Sequence, residues 1–409
     1  DYDNDKDELI AMAGTVGFEP PFDIKGNRIT VEGKNFRYTD RKIRSIRSNP
    51  LNALPYDQVP SSVGGLTPIG TYFDGTIRPG TIFGTGASGY RANTTVDYGT
   101  LNAFVLVDSN DQPRFPPRDG TEGTAESLTA NEVKTIIRNA LAIAFRARGQ
   151  IRRPLGSHAQ VTVSIVDTNG AILGIARTPD GPVFGTDVSL QKARTAAFFS
   201  NTNAAADLIR GNLGNYWLAA QAVLGPGALS DGTAFADRSG GNLSRPFFPD
   251  GIDGAPHGPF SKPFAEWSPF NTGLQLDLIA ANIVAHRSFL LGQSPTDTPM
   301  NCSPIPIRPQ TSKSPVANGI QIFPGSVPIY RNTTLIGGIG VSGDGIDQDD
   351  MISFLGLHNA SLELGTGVGN APRFLRADNL EVPGGRLRYV NCPFLPFLDS
   401  NEQTPCNGK

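Results

Sequence analysis

Residues 333–350, TTLIGGIGVSGDGIDQDD, combine a run of glycines with a cluster of acids, and three kinds of site could use that pattern. Glycine-rich loops bind phosphate, neighbouring carboxylates bind cations, and both features also occur in structural turns. A phosphate-binding P-loop ends in Gly-Lys-Ser/Thr, which this stretch lacks. Asp344 and Asp347 remain weak candidates for a cation site. Most of the pattern predicts a strand whose glycines let a helix pack closely, followed by a helix with acids at its positive end.

The four histidines do not form a recognisable metal motif. No two of them stand at helical metal-ligand spacing, and the sequence contains no HExxH. His286 and His358 fall in segments with helical patterns, where we interpret them as structural. His158 precedes an apolar strand pattern and His257 lies in an aromatic loop. These two are the better candidates for ligand binding.

The three cysteines predict one disulfide and one free thiol. Cys392 and Cys406 bracket a proline-rich segment, and a loop of that size closed by a disulfide gains roughly 3 kcal/mol. Cys302 is left over. There is no CxxC pair and no CxxCH, so neither a thiolate zinc site nor covalently attached haem is predicted. A disulfide, in a chain that starts at Asp1 like a processed or trimmed protein, favours a periplasmic or extracellular location.

Several other function classes find no support in the sequence. The net charge is −3, which does not suit an electrostatic nucleic-acid binder. No run of 18 apolar residues predicts a membrane span. Gly84, Gly86 and Gly89 have GxGxxG spacing, but no helical pattern follows, as a dinucleotide site requires. We find no nucleophile and base pattern typical of a hydrolase.

The clearest element is a helix after Thr129. Thr129 and Glu132 form a capping box, apolar residues follow at 3-4-3 spacing, and Gly149 is the predicted end. Two apolar strands joined through residues 167–170 predict a hairpin. The next segment, DVSLQKARTAAFFS, predicts a helix capped by Asp187 or Ser189.

Residues 201–318 have a different composition. NAAADLIRGNLGNYWLAAQAVLG and LQLDLIAANIVAHRSFLLG are helix-like, and an aromatic, proline-rich span lies between them. Such a span suits a lid or a surface for another subunit. Two further strands and a closing helix follow. Alternating helices and hairpins predict an α+β fold with an antiparallel sheet.

Four stretches resemble the GlcG/HbpS-like haem-degrading domain family: LTANEVKTIIRNALAIA, VTVSIVDTNGAILGIART, GTDVSLQKARTAA and GSVPIYRNTTLIGGIGVSG with the following QDD. The resemblance covers residues 126–200 and 319–366. It implies a profilin- or PAS-like antiparallel sheet with flanking helices. Residues 1–125 then form an additional β-rich N-terminal region, residues 201–318 a large insertion, and residues 367–409 a C-terminal tail.

The resemblance also implies a haem or related tetrapyrrole ligand, bound without covalent attachment. His158, His257 or a Tyr330 phenolate would be iron ligands, Arg146 would hold propionates, and the remaining two candidates, Lys192 and Arg194, would line the cleft. Relatives often carry a histidine in or near the first helix, and this chain has none between Thr129 and Gly149.

Two main hypotheses of function follow. In the first, the chain is an exported haem-binding protein. In the second, it is a non-catalytic structural or accessory subunit whose pocket is filled by the insertion. Under both hypotheses, the chain is expected to associate with copies of itself or with partner subunits. A third hypothesis, an oxidoreductase acting on a small organic substrate, rests on the family's associations alone. An open cleft lined by a histidine would favour binding, and a cleft packed with Phe and Trp would favour scaffolding.

Overall fold

A computed structural model describes residues 6–39, 79–251, 254–268, 273–299 and 301–409, with isolated positions between 49 and 76. The chain divides into two compact units, residues 1–79 and 80–409. In the first unit, helix α1 spans Lys6–Gly14, and strands β1 (Thr30–Val31) and β2 (Lys34–Asn35) form a short antiparallel hairpin. No helix among the described residues is long and apolar enough to cross a membrane.

The second unit is organised around an antiparallel seven-stranded sheet in the order β3-β4-β6-β5-β8-β7-β9. This sheet, flanked by helices, confirms the predicted α+β fold. Two strands precede residue 126 and one follows residue 366, so the sheet draws on more of the chain than the segments that carry the family motifs. The strands are β3 (Tyr90–Ala92), β4 (Phe104–Leu106), β5 (Val161–Val166), β6 (Ile172–Arg177), β7 (Ser326–Arg331), β8 (Thr334–Gly343) and β9 (Val368–Asn370), and a separate hairpin joins β10 (Glu381–Val382) to β11 (Gly385–Arg386).

Helices cover both faces of this sheet. One face carries helices α3 (Ala130–Arg146) and α10 (Ile346–Leu364), which also pack on each other. The other face carries helix α4 (Gly185–Phe199). The helices of the second unit are α2 (Thr95–Tyr98), α3 (Ala130–Arg146), α4 (Gly185–Phe199), α5 (Ala204–Arg210), α6 (Gly214–Leu224), α7 (Asp237–Leu243), α8 (Gly273–Asp277), α9 (Ala280–Leu290) and α10 (Ile346–Leu364).

Helix α3 starts as predicted and ends earlier than predicted. The Thr129 hydroxyl accepts from the Glu132 amide at 3.3 Å, and the Glu132 carboxylate accepts from the Thr129 amide at 2.9 Å. The helix ends at Arg146, three residues before Gly149. At that point the backbone turns extended and pairs with the C-terminal tail, where the Leu398 amide donates to the Arg146 carbonyl at 2.8 Å. A distant segment, invisible to the local pattern, thus ends the helix.

Helix α4 begins at Gly185, so the predicted caps, Asp187 and Ser189, are wrong. The residue at the N-cap is Phe184, which makes no side-chain cap bond. Instead, a preceding turn supplies acceptors to the first amides, beginning with the Gly185 amide, which donates to the Pro182 carbonyl at 3.0 Å. Because backbone carbonyls satisfy these groups, the helix needs no polar cap.

The glycines of β8 confirm the predicted close packing of a helix. A Cβ atom on Gly338 would lie 2.3 Å from the carbonyl oxygen of Ala193, and one on Gly340 would lie 2.0 Å from that of Ser189. Both carbonyls belong to α4. Helix α4 therefore rests directly on the strand backbone, at a distance that a side chain would prevent.

The segment 201–318 builds a second hydrophobic cluster against α4. The predicted single helix is broken into α5 and α6 around Asn212, which takes a left-handed conformation (φ 60°). Phe260 is buried, and its ring stacks on that of Phe199 in α4 at 5.2 Å. Helix α9, in contrast, has no buried residue. Part of this segment thus packs as core, and α9 lies outside it.

The predicted disulfide is present between Cys392 and Cys406, and Cys302 is a free, half-buried thiol. Burial raises the pKa of the Cys302 thiol. The disulfide closes a loop of the tail whose backbone also pairs with the end of α3. The covalent link therefore holds the same segment that terminates the helix.

Glu132 also makes stability dependent on acid pH. Burial alone would raise its pKa, but hydrogen bonds from Arg331, Thr129 and Thr366 outweigh this and lower it from 4.5 to about 2. The ionised form is favoured in the folded state, so its contribution is complete above pH 4.5 and is lost as pH falls towards 2. We expect this carboxyl to account for a loss of roughly 3 kcal/mol in unfolding free energy over that window.

The measurement is urea denaturation of the wild type and Glu132→Gln between pH 2 and pH 5. The variant should show a flatter pH dependence. Glu126→Gln is the control, because Glu126 contacts the same Arg331 at 3.4 Å from an exposed position. Equal slopes for wild type and Glu132→Gln would contradict the prediction.

Candidate functional site

Lys192 lies in a buried cluster of charges between α4, α7 and α10. Its ammonium group is 2.9 Å from an Asp349 carboxylate oxygen and 2.9 Å from the Val341 carbonyl, and both charged side chains are 2% exposed. Burial raises the pKa of Asp349 to about 6, although the Lys192 charge pulls in the opposite direction. Lys192 was predicted to line a cleft, and the structure places it in the core.

Four further charged residues complete this cluster. The Arg238 guanidinium donates to Asp350 and to Asp347, at 2.5 Å in each case. Asp237 is fully buried, and in the described part of the chain neither carboxylate oxygen accepts a hydrogen bond of normal geometry. Burial raises its pKa well above the usual range, against the opposing charge of Lys192. Asp237 is therefore the member of the cluster best suited to stay protonated.

The two cation candidates are paired with arginines. Asp344 accepts from Arg152 at 2.8 and 2.9 Å, and Asp347 accepts from Arg238. Within the described part of the chain, no group of three or more His, Cys, Asp or Glu side chains could hold a metal ion. The structure thus offers no support for a cation at this turn.

A pocket of about 450 Å³ lies beside the β5–β6 hairpin, and we call it the arginine pocket. Its charged lining residues are all cations: Arg114, Arg118, Arg194 and Lys313. Within the described ranges, none of them has a carboxylate within 4 Å. The apolar part of the lining consists of Phe115, Pro116, Ala171 and Ile172.

Arg194 forms the buried wall of the arginine pocket. Its guanidinium donates to the Gly170 carbonyl at 2.9 and 3.0 Å and to the Asn318 side-chain oxygen at 2.5 Å. Burial lowers its pKa to about 10, partly offset by Asp187 and Asp167, so the group is still charged at neutral pH. Arg194, a candidate cofactor-binding residue from the sequence, thus lines this pocket.

The two candidate histidines lie away from the arginine pocket. His158 is half-buried, packs edge-on against Phe145 at 4.7 Å, and has Nδ1 2.9 Å from its neighbour's carbonyl. His257 is exposed, with Nδ1 3.0 Å from the Gly258 carbonyl. In each ring the Nδ1 proton is directed to the backbone, which leaves Nε2 as the ligand atom.

The other two candidates are separate from the arginine pocket and from each other. Tyr330 lines a pocket of about 290 Å³, together with Ser200 and several threonines. Burial raises the pKa of its hydroxyl, which has no hydrogen-bond partner among the described residues, so the phenolate is disfavoured. Arg146 bonds Asp399 at 2.7 Å and lies 4.4 Å from the Phe397 ring, so it is held by the tail.

Sequence reasoning missed three members of the arginine pocket. Arg114 and Arg118 flank a proline-rich turn in PRFPPRD, and Lys313 lies about 200 residues further along the chain. Prolines restrict the backbone next to both arginines, so this pattern was a weak indication that the two charges are held in fixed positions. Their convergence with Lys313 and Arg194 depends on the tertiary fold alone.

Comparison with known families confirms the resemblance inferred from the motifs. Residues 281–357 match the model of a family described as "Haem degrading protein HbpS-like". The match includes β7, β8 and most of α10. It also includes most of α9, which lies in the predicted insertion. Residues 126–200, which carry three of the four motifs, lie outside it.

Two solved structures are similar to this chain. One is a PduOC:haem complex, 18% identical, with a TM-score of 0.26, covering 60% of this chain and 99% of that chain. The other is the Klebsiella pneumoniae protein ORFY, 16% identical, also with a TM-score of 0.26, covering 59% of this chain and 94% of that chain. No curated protein matches the sequence.

Proposed function

We propose that this protein binds haem without covalent attachment and that the arginine pocket receives the haem propionates. The observation that carries the proposal is the set of four cations around one pocket, none of which has an ion-pair partner in the described part of the chain. The match of residues 281–357 to a haem-degrading family supports haem as the ligand.

The charge pattern of the pocket suits a dianion with an apolar body. Arginine binds carboxylates through two parallel hydrogen bonds. Arg194 already donates to Gly170 and Asn318, so the more exposed Arg114 and Arg118 offer the freer guanidinium groups. Phe115 and Ile172 supply apolar surface for the porphyrin ring. The volume, about 450 Å³, is within the usual range for a small-molecule site.

The pocket offers no ligand to the iron. Its lining contains no histidine, tyrosine, cysteine or methionine, so charge pairing and stacking would hold the haem. Ligation by His158 or His257, as predicted from the sequence, is a separate hypothesis that places the iron elsewhere. The two hypotheses make opposite predictions for the same titration.

The test is a hemin titration followed by the Soret band. We expect saturable, near-stoichiometric binding by the wild type and at least tenfold weaker binding by Arg114→Gln/Lys313→Gln. Both side chains are exposed, so the fold should be unaffected. Arg386→Gln is the control, because this arginine is exposed on the β10–β11 hairpin, away from the pocket lining, and forms an ion pair with Glu381.

Two results would oppose the proposal. One is equal hemin affinity in the double variant and the wild type, and the other is a response that does not saturate. Loss of the Soret shift in His158→Ala or His257→Ala, with normal binding by the double variant, would move the site to that histidine.

We also propose export to the periplasm or the extracellular space, on the strength of the Cys392–Cys406 disulfide. Cells expressing the protein would be treated with an alkylating agent before lysis, and its labelled thiols counted. One labelled cysteine, Cys302, is expected. Three labelled cysteines would contradict the proposal.

Helix α9 favours a second candidate function, that of an accessory subunit. None of its residues is buried, and Ile283 and Val284 are 49% and 63% exposed. Adjacent exposed aliphatic residues suit a contact with another subunit. Light scattering would test this, because Ile283→Lys/Val284→Lys should convert an oligomer into a monomer. A wild-type monomer would leave this candidate without support.

A further inference from the structure

Asn318 lies between a buried cation of the arginine pocket and an exposed carboxylate. Its side-chain oxygen accepts from the Arg194 guanidinium at 2.5 Å, and its side-chain nitrogen donates to an Asp187 carboxylate oxygen at 3.0 Å. Arg194 is 5% exposed, whereas Asp187 lies on the surface. Asn318 does not line the arginine pocket, so it can act on a ligand there only through Arg194.

One face of α4 holds Asn318 in this position. Asp187, Gln191 and Arg194 are spaced i, i+4 and i+7, which places them on the same side of the helix. The Gln191 side chain donates to the Asn318 carbonyl at 2.5 Å, and the Asn318 side-chain nitrogen also donates to the Asp187 carbonyl at 3.3 Å. Both the backbone and the side chain of Asn318 are thus fixed against α4.

A side-chain amide suits both neighbours at once. It offers an acceptor to the guanidinium and a donor to the carboxylate, and it carries no charge. A carboxylate at position 318 would repel Asp187, and an ammonium group there would repel Arg194. Rotating the amide by 180° would turn its nitrogen towards the cation and its oxygen towards the carboxylate, so the two neighbours also fix its orientation.

The interposed amide leaves the charge of Arg194 uncompensated. Among the described residues, the guanidinium donates to uncharged oxygens, those of Gly170 and Asn318. A carboxylate in the place of the amide would form a buried ion pair and cancel the positive charge. Because these bonds use three of the five N–H groups of the guanidinium, Arg194 keeps two donors together with its charge.

We propose that Asn318 is a positioning residue that keeps Arg194 unpaired, and that it thereby sets the preference of the arginine pocket for a ligand with two carboxylates. This inference rests on the proposed function, because it concerns the same pocket. With Arg194 unpaired, the charged lining residues are four cations, so each carboxylate of the ligand can have cations of its own. If Arg194 were paired, only the three exposed cations would remain, and water and salt screen exposed charges. A second carboxylate would then add less to the affinity.

The test exchanges the amide and the carboxylate without changing the net charge. In Asn318→Asp/Asp187→Asn the carboxylate moves to position 318, where it pairs with Arg194, and the amide at position 187 can donate to it. The variant and the wild type are titrated with hemin and with hemin monomethyl ester, which has one carboxylate fewer. We expect the wild type to bind hemin at least about tenfold more tightly than the ester, and the variant to reduce this ratio to about threefold or less. Stability should not fall, because the hydrogen bonds between these groups are conserved.

Asn212→Asp/Asp231→Asn is the matched control. It makes the same exchange at two exposed positions that do not line the arginine pocket, so both affinities should stay at the wild-type values. A wild-type ratio near one, or the wild-type ratio preserved in Asn318→Asp/Asp187→Asn, would overturn the proposal. An equal loss of affinity for both ligands together with a loss of stability would also overturn it, because Asn318 would then act on the fold alone.

Failure of the proposed function gives a different pattern. Wild-type protein that does not bind hemin saturably, or normal hemin binding by Arg114→Gln/Lys313→Gln, would overturn the haem proposal and this inference with it. If this inference alone fails, hemin binding by the wild type and its weakening in Arg114→Gln/Lys313→Gln are still observed.

Discussion

Replacing Gly340 by alanine is expected to lower the unfolding free energy by at least about 3 kcal/mol, near the upper end of the range for overpacking. The new Cβ would lie 2.0 Å from the Ser189 carbonyl oxygen and 2.4 Å from the Ala193 amide nitrogen. Both contacts are with the backbone of α4, so no side-chain rotation can relieve them. The helix would have to move away from the sheet by about 1 Å or more.

That movement would also break polar contacts beneath α4. The hydroxyls of Ser164 and Ser189 are 2.8 Å apart, and Lys192 reaches the Val341 carbonyl from the same helix. Denaturant-induced unfolding, followed by far-UV circular dichroism, measures the loss. Gly240→Ala in α7 is the control, since its Cβ would have its nearest neighbour at 4.0 Å. The control should be neutral or more stable by up to about 1 kcal/mol, because alanine favours the helix. A Gly340→Ala protein as stable as the control would contradict the close packing.

Replacing Lys192 by methionine should cost about 3–5 kcal/mol of unfolding free energy at neutral pH. The variant keeps the volume of the side chain but leaves Asp349 without its counter-charge in a site that is 2% exposed. The charge of Lys192 also favours the ionised forms of Asp237 and Asp350. Its removal therefore destabilises more than one ion pair.

The loss should depend on pH in a defined direction. Burial raises the pKa of Asp349 in the folded state from 3.8 to about 6, so its ionisation destabilises the fold as pH rises through that window. Without Lys192 this pKa rises further, and the difference between the wild type and the variant should widen from pH 5 to pH 8. Lys192→Met/Asp349→Leu, which removes both charges, should recover most of the stability. A pH-independent loss, or no recovery in the double variant, would show that the ion pair is not the cause.

Local signals in the sequence were enough to predict several elements of the fold. The capping box and apolar spacing of α3, the β5–β6 hairpin and the glycines of β8 depend on neighbouring residues, which the sequence displays directly. The disulfide followed from two cysteines bracketing a proline-rich loop.

Features set by the backbone conformation of single turns, or by distant contacts, could not be predicted. The start of α4 depends on a turn at residues 182–184, and the break between α5 and α6 depends on one left-handed asparagine. The candidate sites depend still more on the tertiary fold. Lys192 and Arg194 are two residues apart on one helix, yet one is in an ion pair in the core and the other lines a pocket. Lysine and arginine both occur in clefts and in buried ion pairs. The residue type therefore could not predict which of the two positions would lie in the core and which would line a pocket.

The pairing of α3 with the tail has a consequence for the order of events during folding. The last turn of α3 is completed by hydrogen bonds between residues 146–148 and residues 396–398, about 250 positions further along the chain. During synthesis these partners emerge from the ribosome long after the helix itself. The end of α3 must therefore remain frayed on the nascent chain and become ordered only after residue 398 has been translated. Contacts of such high sequence separation form late and slowly. The final step in assembling this side of the sheet is thus expected to wait for the segment around residue 398.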